Sequence, residues 1–432
     1  MSASEFSRRR FLSAASAAGI GAVALTACGG SDSGGGTDSS GRTVIEWWHI
    51  QTTAPSKTIW PERAKAYEAA HPKVRIKLVA LENEAFKSKM TAVTSSGKLP
   101  DIYHTWGGGV LKQQIDAGLV EDLTESIKPV TDAMVPASLE AYKFDDKMYA
   151  VPIDIGAVGF WYNKALFKKA GISTPPATWA DYLDAIKKLK SAGITPIALA
   201  GKEKWPGMYY WAYLATRIAG VEGMQKAADA KDFTGDAFIK AGEHLKELVA
   251  LEPFQKGFLG AAYSSPTGEA ATMGNGKAAM ELMGQWAPVT QADAGKGIGK
   301  DLGFFAFPEV AGGKGSGTDA FGGGGGYAVR KGAPKEAVDF LKWFMSAEND
   351  RLLVEKAQMM PVVKDATSAL TDPNLKMVSD MLGKATGFQL YLDQAYPPAV
   401  GQEINDSVAA LIAGAKSPEQ VARSITQVAK SA

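Results

Sequence analysis

Beyond residue 41 the apolar positions switch repeatedly between a two-residue and a three-to-four-residue rhythm. Thr43-Val44-Ile45-Glu46-Trp47-Trp48 is a short apolar run of β type, and Val74, Ile76 and Leu78 alternate with Arg75 and Lys77 as a half-buried strand does. Between them Trp60, Ala64 and Tyr67 share one helical face, opened by Pro61 at its first turn and stopped by His71-Pro72. Phe86, Met90 and Val93 are spaced for a second helix, and Pro100-Asp101-Ile102-Tyr103 enters a third strand. Strand and helix in alternation predict a parallel sheet in an α/β layer fold. Ligands of such sheets gather at the carboxyl ends of the strands. Those ends read His49-Ile50-Gln51, Glu82-Asn83-Glu84 and His104-Thr105-Trp106-Gly107-Gly108-Gly109, which places polar groups, a tryptophan and three glycines together.

Farther along, Thr178 with Asp181 three residues on resembles a capping box, and Leu183, Ile186 and Leu189 form the helix face behind it. Pro334 opens a helix with Ala337, Phe340, Leu341 and Phe344 on one face. Ile404, Val408 and Leu411 line another, and Ser417-Pro418-Glu419-Gln420 caps a last one carrying Val421, Ile425 and Val428. These stripes read as core. No repeat of solenoid type is visible.

The first 41 residues follow different rules. Ser7-Arg8-Arg9-Arg10-Phe11-Leu12 precedes an Ala-rich apolar run from Ala14 to Ala27, the layout of a secretory signal and too short for a membrane span. The arginines followed by Phe11-Leu12 resemble a twin-arginine export signal. Leu25-Thr26-Ala27-Cys28 resembles a bacterial lipobox, in which the Cys28 thiol takes a diacylglyceryl group whose two chains suffice for stable anchoring. The expected location is the outer face of the cell membrane. Gly29 to Gly41 contains only Gly, Ser, Asp and Thr, a flexible tether spanning about 20 Å. Cys28 is the only cysteine, so disulfides within the chain and thiolate metal sites are excluded.

Composition adds limits. Apolar residues at 46% and charged residues at 22% are ordinary globular values. The net charge of +1 becomes −1 once residues 1–27, with three arginines and Glu5, are removed. A near-neutral body gives no sign of nucleic-acid binding. About 400 residues after cleavage suggest two domains.

Three motifs carry a family resemblance. The first runs from Met148-Tyr149-Ala150-Val151-Pro152-Ile153-Asp154-Ile155-Gly156 through Trp161-Tyr162-Asn163-Lys164 to Pro175-Pro176-Ala177-Thr178-Trp179. The second is Gly274-Asn275-Gly276-Lys277-Ala278-Ala279-Met280 with Gly284-Gln285-Trp286-Ala287. The third is Gly303-Phe304-Phe305-Ala306-Phe307-Pro308 with Phe321-Gly322 to Gly326-Tyr327-Ala328-Val329. In this order they resemble the extracellular solute-binding proteins of bacterial sugar importers, the maltose-binding-protein-like family. The resemblance implies an α/β, two-lobed periplasmic-binding-protein-like fold (type II) with lobes joined by crossing hinge strands. The expected division is a signal peptide at 1–27, a lipoprotein linker at 28–41, an N-terminal lobe of 42–156 plus 324–360, and a C-terminal lobe of 157–323 plus 361–432. Crossings are expected near Gly156–Phe160, Phe321–Tyr327 and Met359–Val363. The resemblance also implies a monomer that captures a short oligosaccharide by closure and delivers it to ABC transporter permease subunits driven by separate ATPase subunits. No cofactor is implied.

A neutral sugar offers flat C–H faces to aromatic rings and a belt of hydroxyls to polar side chains. His49, Gln51, Asn83, Glu84 and Asp154, at strand ends or a crossing, are the polar candidates. Trp106, followed by glycines, and Trp205 and Tyr209, around the turn Lys204-Trp205-Pro206-Gly207, are aromatic candidates. Trp286 matches the position where the family stacks a sugar ring, Tyr391 lies where the family often supplies a last aromatic, and Gly324 lies in the glycine-rich crossing, where backbone can approach a ligand. Trp47, Trp179 and Trp343 read as packing. The segments at 47–51, 81–86 and 105–109 look most like binders of short β-linked oligosaccharides, xylobiose first, with cellobiose, chitobiose and α-linked sugars left open. The alternative is a secreted glycan hydrolase using Glu84 and Asp154 as paired carboxylates. Against it, no His-Glu-x-x-His, Gly-x-Ser-x-Gly or Walker-type motif occurs, and the four histidines are dispersed without metal-ligand spacing.

Overall fold

The computed structural model describes residues 36–432. The export signal, the lipobox with Cys28 and the linker to residue 35 lie outside the described residues. Residues 36–41, expected as coil, turn back on the first strand. Val44 N donates to Gly36 O at 2.9 Å, and the Asp38 carboxylate accepts from Ser40 N at 2.9 Å and Arg42 N at 3.0 Å. An Asp side chain that satisfies the amides two and four residues on stabilises such a turn.

From there β1 (Thr43–His49), α1 (Ser56–Ala70), β2 (Val74–Ala80), α2 (Asn83–Ser96), β3 (Ile102–Thr105) and α3 (Gly108–Asp116) follow in alternation. β1 lies between β2 and β3 and is parallel to both. The strand Gly326–Val329 adds antiparallel to β3, and Ala150–Pro152 closes the five-stranded sheet. Trp47 is fully buried, its ring edge-on to Tyr327, Phe340 and Phe344. α1 starts five residues before Pro61, which therefore sits inside the helix instead of at its first turn. Burial of Ile59, Trp60, Ala64 and Tyr67 on its core face outweighs the missing proline N–H.

A second, four-stranded sheet has the order Leu302–Phe305, Gly159–Asn163, Ala278–Met283, Thr195–Ile197. A short three-stranded sheet of Phe388–Leu390, Ala320–Gly323 and Gly156–Ala157 stands apart from both. The apolar interior follows this division. One core gathers residues from Ile45 to Ile153 and from Tyr327 to Ala366; the other runs from Ala157 to Phe321 and from Val378 to Ala429. Residues 361–366, expected with the C-terminal lobe, pack in the first core. Val362 O accepts from Val135 N at 2.8 Å, Lys364 N donates to Ala133 O at 3.0 Å, and Val362 and Val363 are buried. Their apolar partner Met134 is in the first core, so the chain leaves it later than the sequence suggests.

In the second core the fully buried Arg217 guanidinium donates to the carbonyls of Phe307, Gly317 and Asp319, which pins both ends of the loop between Leu302–Phe305 and Ala320–Gly323. Ser417 and Gln420 form the full capping box. Thr178 makes only half of one: its hydroxyl accepts from Asp181 N, but no return bond reaches the Thr178 amide. Among the described residues no helix is long and apolar enough to cross a membrane.

Candidate ligand-binding site

Between the two cores lies a cleft of about 250 Å³, near the lower end for pockets that hold small organic ligands. From the first core it is lined by the loop after β1, the start of α2, the end of β3 and the strand end at Asp154. The second core contributes Trp205, Tyr209, Tyr263, Gln285, Trp286 and Tyr391.

The aromatic wall is continuous. Tyr209 and Tyr391 stack at 5.6 Å, Trp286 meets Tyr391 at 6.3 Å and Trp205 at 6.5 Å, and Tyr263 lies edge-on to Trp205 at 5.6 Å. Trp205 is the first residue of the helix Trp205–Ala219, whose Pro206 suits a first helical turn. Across the cleft Trp106 packs edge-on against His104 at 4.5 Å and against Phe86 at 5.9 Å. Rings thus face the space from both cores.

Polar groups meet at the seam. Asp154 accepts from Gln285 Nε2 at 3.0 Å and from the Gly325 amide. Burial pushes its carboxyl up to about 6, against the opposing pull of those two donors. A Cβ on Gly325 would sit 2.6 Å from the His104 ring, so glycine is what lets this crossing run against both Asp154 and His104. Lys87 Nζ reaches Asp393 at 3.0 Å and hangs 5.5 Å from the centre of the Trp106 ring. Burial alone would lower the Lys87 ammonium, but the carboxylates of Asp393 and then Glu84 hold it above its usual value.

Of the residues singled out from sequence, Gln51, Asn83, Trp106, Asp154, Trp205, Tyr209, Trp286, Gly324 and Tyr391 line this one cleft. His49 and Glu84 do not. His49 is 2% exposed and packs between Trp47 and Trp60, where burial lowers its pKa to about 4. The alternation of β1 turns this side chain into the core, and its Nδ1 accepts from Gln51 N. Glu84 is half exposed, accepts from Asn83 Nδ2 at 2.7 Å and leaves the lining to Glu82. The hydrolase pair Glu84 and Asp154 therefore does not share the cleft.

Sequence reasoning missed Lys87, His104, Tyr263, Gln285 and Asp393. Gln285 stood beside Trp286 in a motif already noted, and His104 stood two residues before Trp106. His104 is 3% exposed with neither ring nitrogen bonded, and burial, then His49, lowers its pKa to about 3. It is a neutral imidazole at the cleft. Behind the aromatic wall two more groups are buried: Glu269, which accepts from Ala200 N at 2.5 Å, and Glu281, which accepts from Gln291 Nε2 at 2.8 Å. Burial raises both carboxyls, and the charge of Glu281 raises Glu269 further. Among the described residues no group of three or more His, Cys, Asp or Glu gathers as a metal site would need.

Comparison with known proteins agrees with this architecture. An uncharacterized ABC transporter extracellular-binding protein of Pyrococcus horikoshii is 28% identical over 264 residues, 56% of this chain and 55% of that protein's length. A solved structure from work on xylan utilization by the thermophilic bacterium Caldanaerobius polysaccharolyticus superposes with a TM-score of 0.83 at 29% identity, covering 89% of this chain and 99% of that one. A chitin oligosaccharide binding protein superposes with a TM-score of 0.84 at 26% identity over 90% and 99%. The model for bacterial extracellular solute-binding proteins matches residues 52–351. With two cores around one cleft and a match over most of its length, the chain belongs to the bacterial extracellular solute-binding protein family.

Proposed function

We propose that this protein is the sugar-capturing receptor of an ABC importer, and that a short oligosaccharide, a β-linked disaccharide such as xylobiose first among them, fills the cleft. The observation that carries the reading is the pairing of rings from both cores with a polar seam of Asp154 and Gln285. Trp106 on one side and Trp286, Trp205 and Tyr391 on the other suit the two faces of a pyranose; Asp154, Gln285, Asn83 and Gln51 suit its hydroxyls. A site built around hydroxyl partners rejects analogues that lack them far better than apolar packing does. The likeness to a xylan-utilization protein and to a chitin-oligosaccharide binder supports a β-linked ligand.

Binding is capture by closure. The sugar bridges the two lobes and shifts the population toward the closed form, which then docks on the permease pair. The protein works as a monomer tethered outside the membrane through a lipid on Cys28, exported by the twin-arginine route. Loss of membrane association in Cys28→Ala, with retention of the parent, tests the tether.

The ligand is tested by a thermal-shift panel of xylobiose, cellobiose, chitobiose and maltose. A sugar at 100 times its Kd adds about 2.7 kcal/mol to stability. No shift with any sugar overturns the reading, and new reducing ends on incubation would favour the hydrolase.

A further inference from the structure

The two cores touch directly around the segment Leu390–Pro397, in contacts that need no ligand. The short helix Leu392–Ala395 belongs to the second core, where Leu392 is buried. It packs on α3 of the first core. Its Asp393, 9% exposed, holds Lys87 of α2 at 3.0 Å across the cleft, and both side chains line the cavity. Lys87 has one other carboxylate nearby, Glu84 on its own helix at 3.8 Å. Next to this pair the backbone of Gly109 in α3 lies against the backbone of Tyr396 and Pro397, an approach that only a residue without Cβ permits.

We propose that Lys87 and Asp393 are positioning residues that latch the two lobes together across the cleft without sugar, so that they scale affinity for every ligand by the same factor. The inference rests on the lobe closure proposed above. Removing either partner of this 3.0 Å pair leaves the other's charge desolvated and uncompensated while the lobes are together, a cost that the open form, with the charge in water, does not bear. The pair thus favours the closed arrangement. Apparent affinity scales with the fraction of protein in the binding-competent state, and a latch that raises this fraction acts alike on all sugars.

The test uses the full chain with Cys28→Ser and spin labels at Lys65→Cys on α1 and Lys188→Cys on the helix Trp179–Ser191, both exposed positions. Distances between the labels are measured without sugar. The expected result is a closed population that Lys87→Met and Asp393→Asn each reduce about fivefold or more. The exchange Lys87→Asp with Asp393→Lys restores it. A wholly open sugar-free protein, an unchanged distribution in the single variants, or failure of the exchange to restore closure would overturn the latch. Titration with each sugar that binds the parent should then show one common factor of loss. A loss confined to one sugar would mean that Lys87 or Asp393 touches that ligand, and would also overturn it. If no sugar binds the parent while the distance shifts hold, the sugar reading fails and the latch stands.

Discussion

Replacing Gly109 by alanine separates closure from folding. Gly109 is the second residue of α3 and its backbone is not left-handed, so alanine fits the helix and carries the better propensity. The obstacle comes from the second core, to which Tyr396 belongs and which touches α3 directly here. An added Cβ would lie 2.5 Å from Tyr396 O and 2.8 Å from Pro397 N, where ordinary contact begins near 3.4 Å. Both atoms are backbone, so no side chain can rotate away and the lobes must part by about 1 Å. Overpacking of this kind costs about 1–3 kcal/mol. The cost falls on the closed form alone, so Kd should rise between about fivefold and 150-fold. The melting temperature of the sugar-free protein should fall little or rise. Gly260→Ala, at a position with nothing within 4 Å, is the control and should leave both unchanged. Calorimetric titration with the best sugar of the panel, alongside thermal unfolding, measures the two quantities. A Gly109→Ala protein that binds within twofold of the parent would refute the reasoning, because closure would then not need this approach.

Three further outcomes follow from the same geometry. Trp286→Ala should weaken sugar binding about 30-fold or more, as loss of a central aromatic anchor does, with thermal stability nearly kept; titration with an equal loss in Trp179→Ala would contradict this. Asp154 should make binding pH-dependent: its carboxyl titrates at about 6, and a proton there removes the acceptor a sugar hydroxyl needs. Affinity should therefore be about tenfold lower at pH 5 than at pH 7, and Asp154→Asn should flatten the profile while binding weakly throughout. Glu281 is raised in the folded state, so its contribution to stability is complete below the ordinary carboxylate range and is lost as pH rises through the folded value. Thermal unfolding of Glu281→Gln should lose less stability than the parent between pH 5 and pH 8; parallel curves would argue against the buried acid.

Much of the cleft was legible because strand ends and turns carry their own signals. Trp106 followed a strand and preceded glycines, and Trp205 sat before a helix-opening proline. His49 shows the limit. Period-two alternation in β1 sends it to the core side, yet its place at the strand end reads equally well as a loop. Glu84 shows another, since a carboxylate in the first turn of a helix is favoured by the helix ends alone and need not serve a ligand. Lys87 and Asp393 carry no local signal at all, because each has a meaning only beside the other, 306 residues away.

Alternating rhythm, turn residues and capping pairs were enough to determine an α/β fold and the motifs of a solute-binding family. Those features act over a few neighbours and are written in local order. Which rings face the gap, which histidine is neutral beside it, where the chain leaves the first core and which segments of the two cores touch were decided only by tertiary structure. The reason is physical: exposure, desolvation and ion pairing depend on what the other core brings up to each side chain, and that is set by packing between segments far apart in the chain.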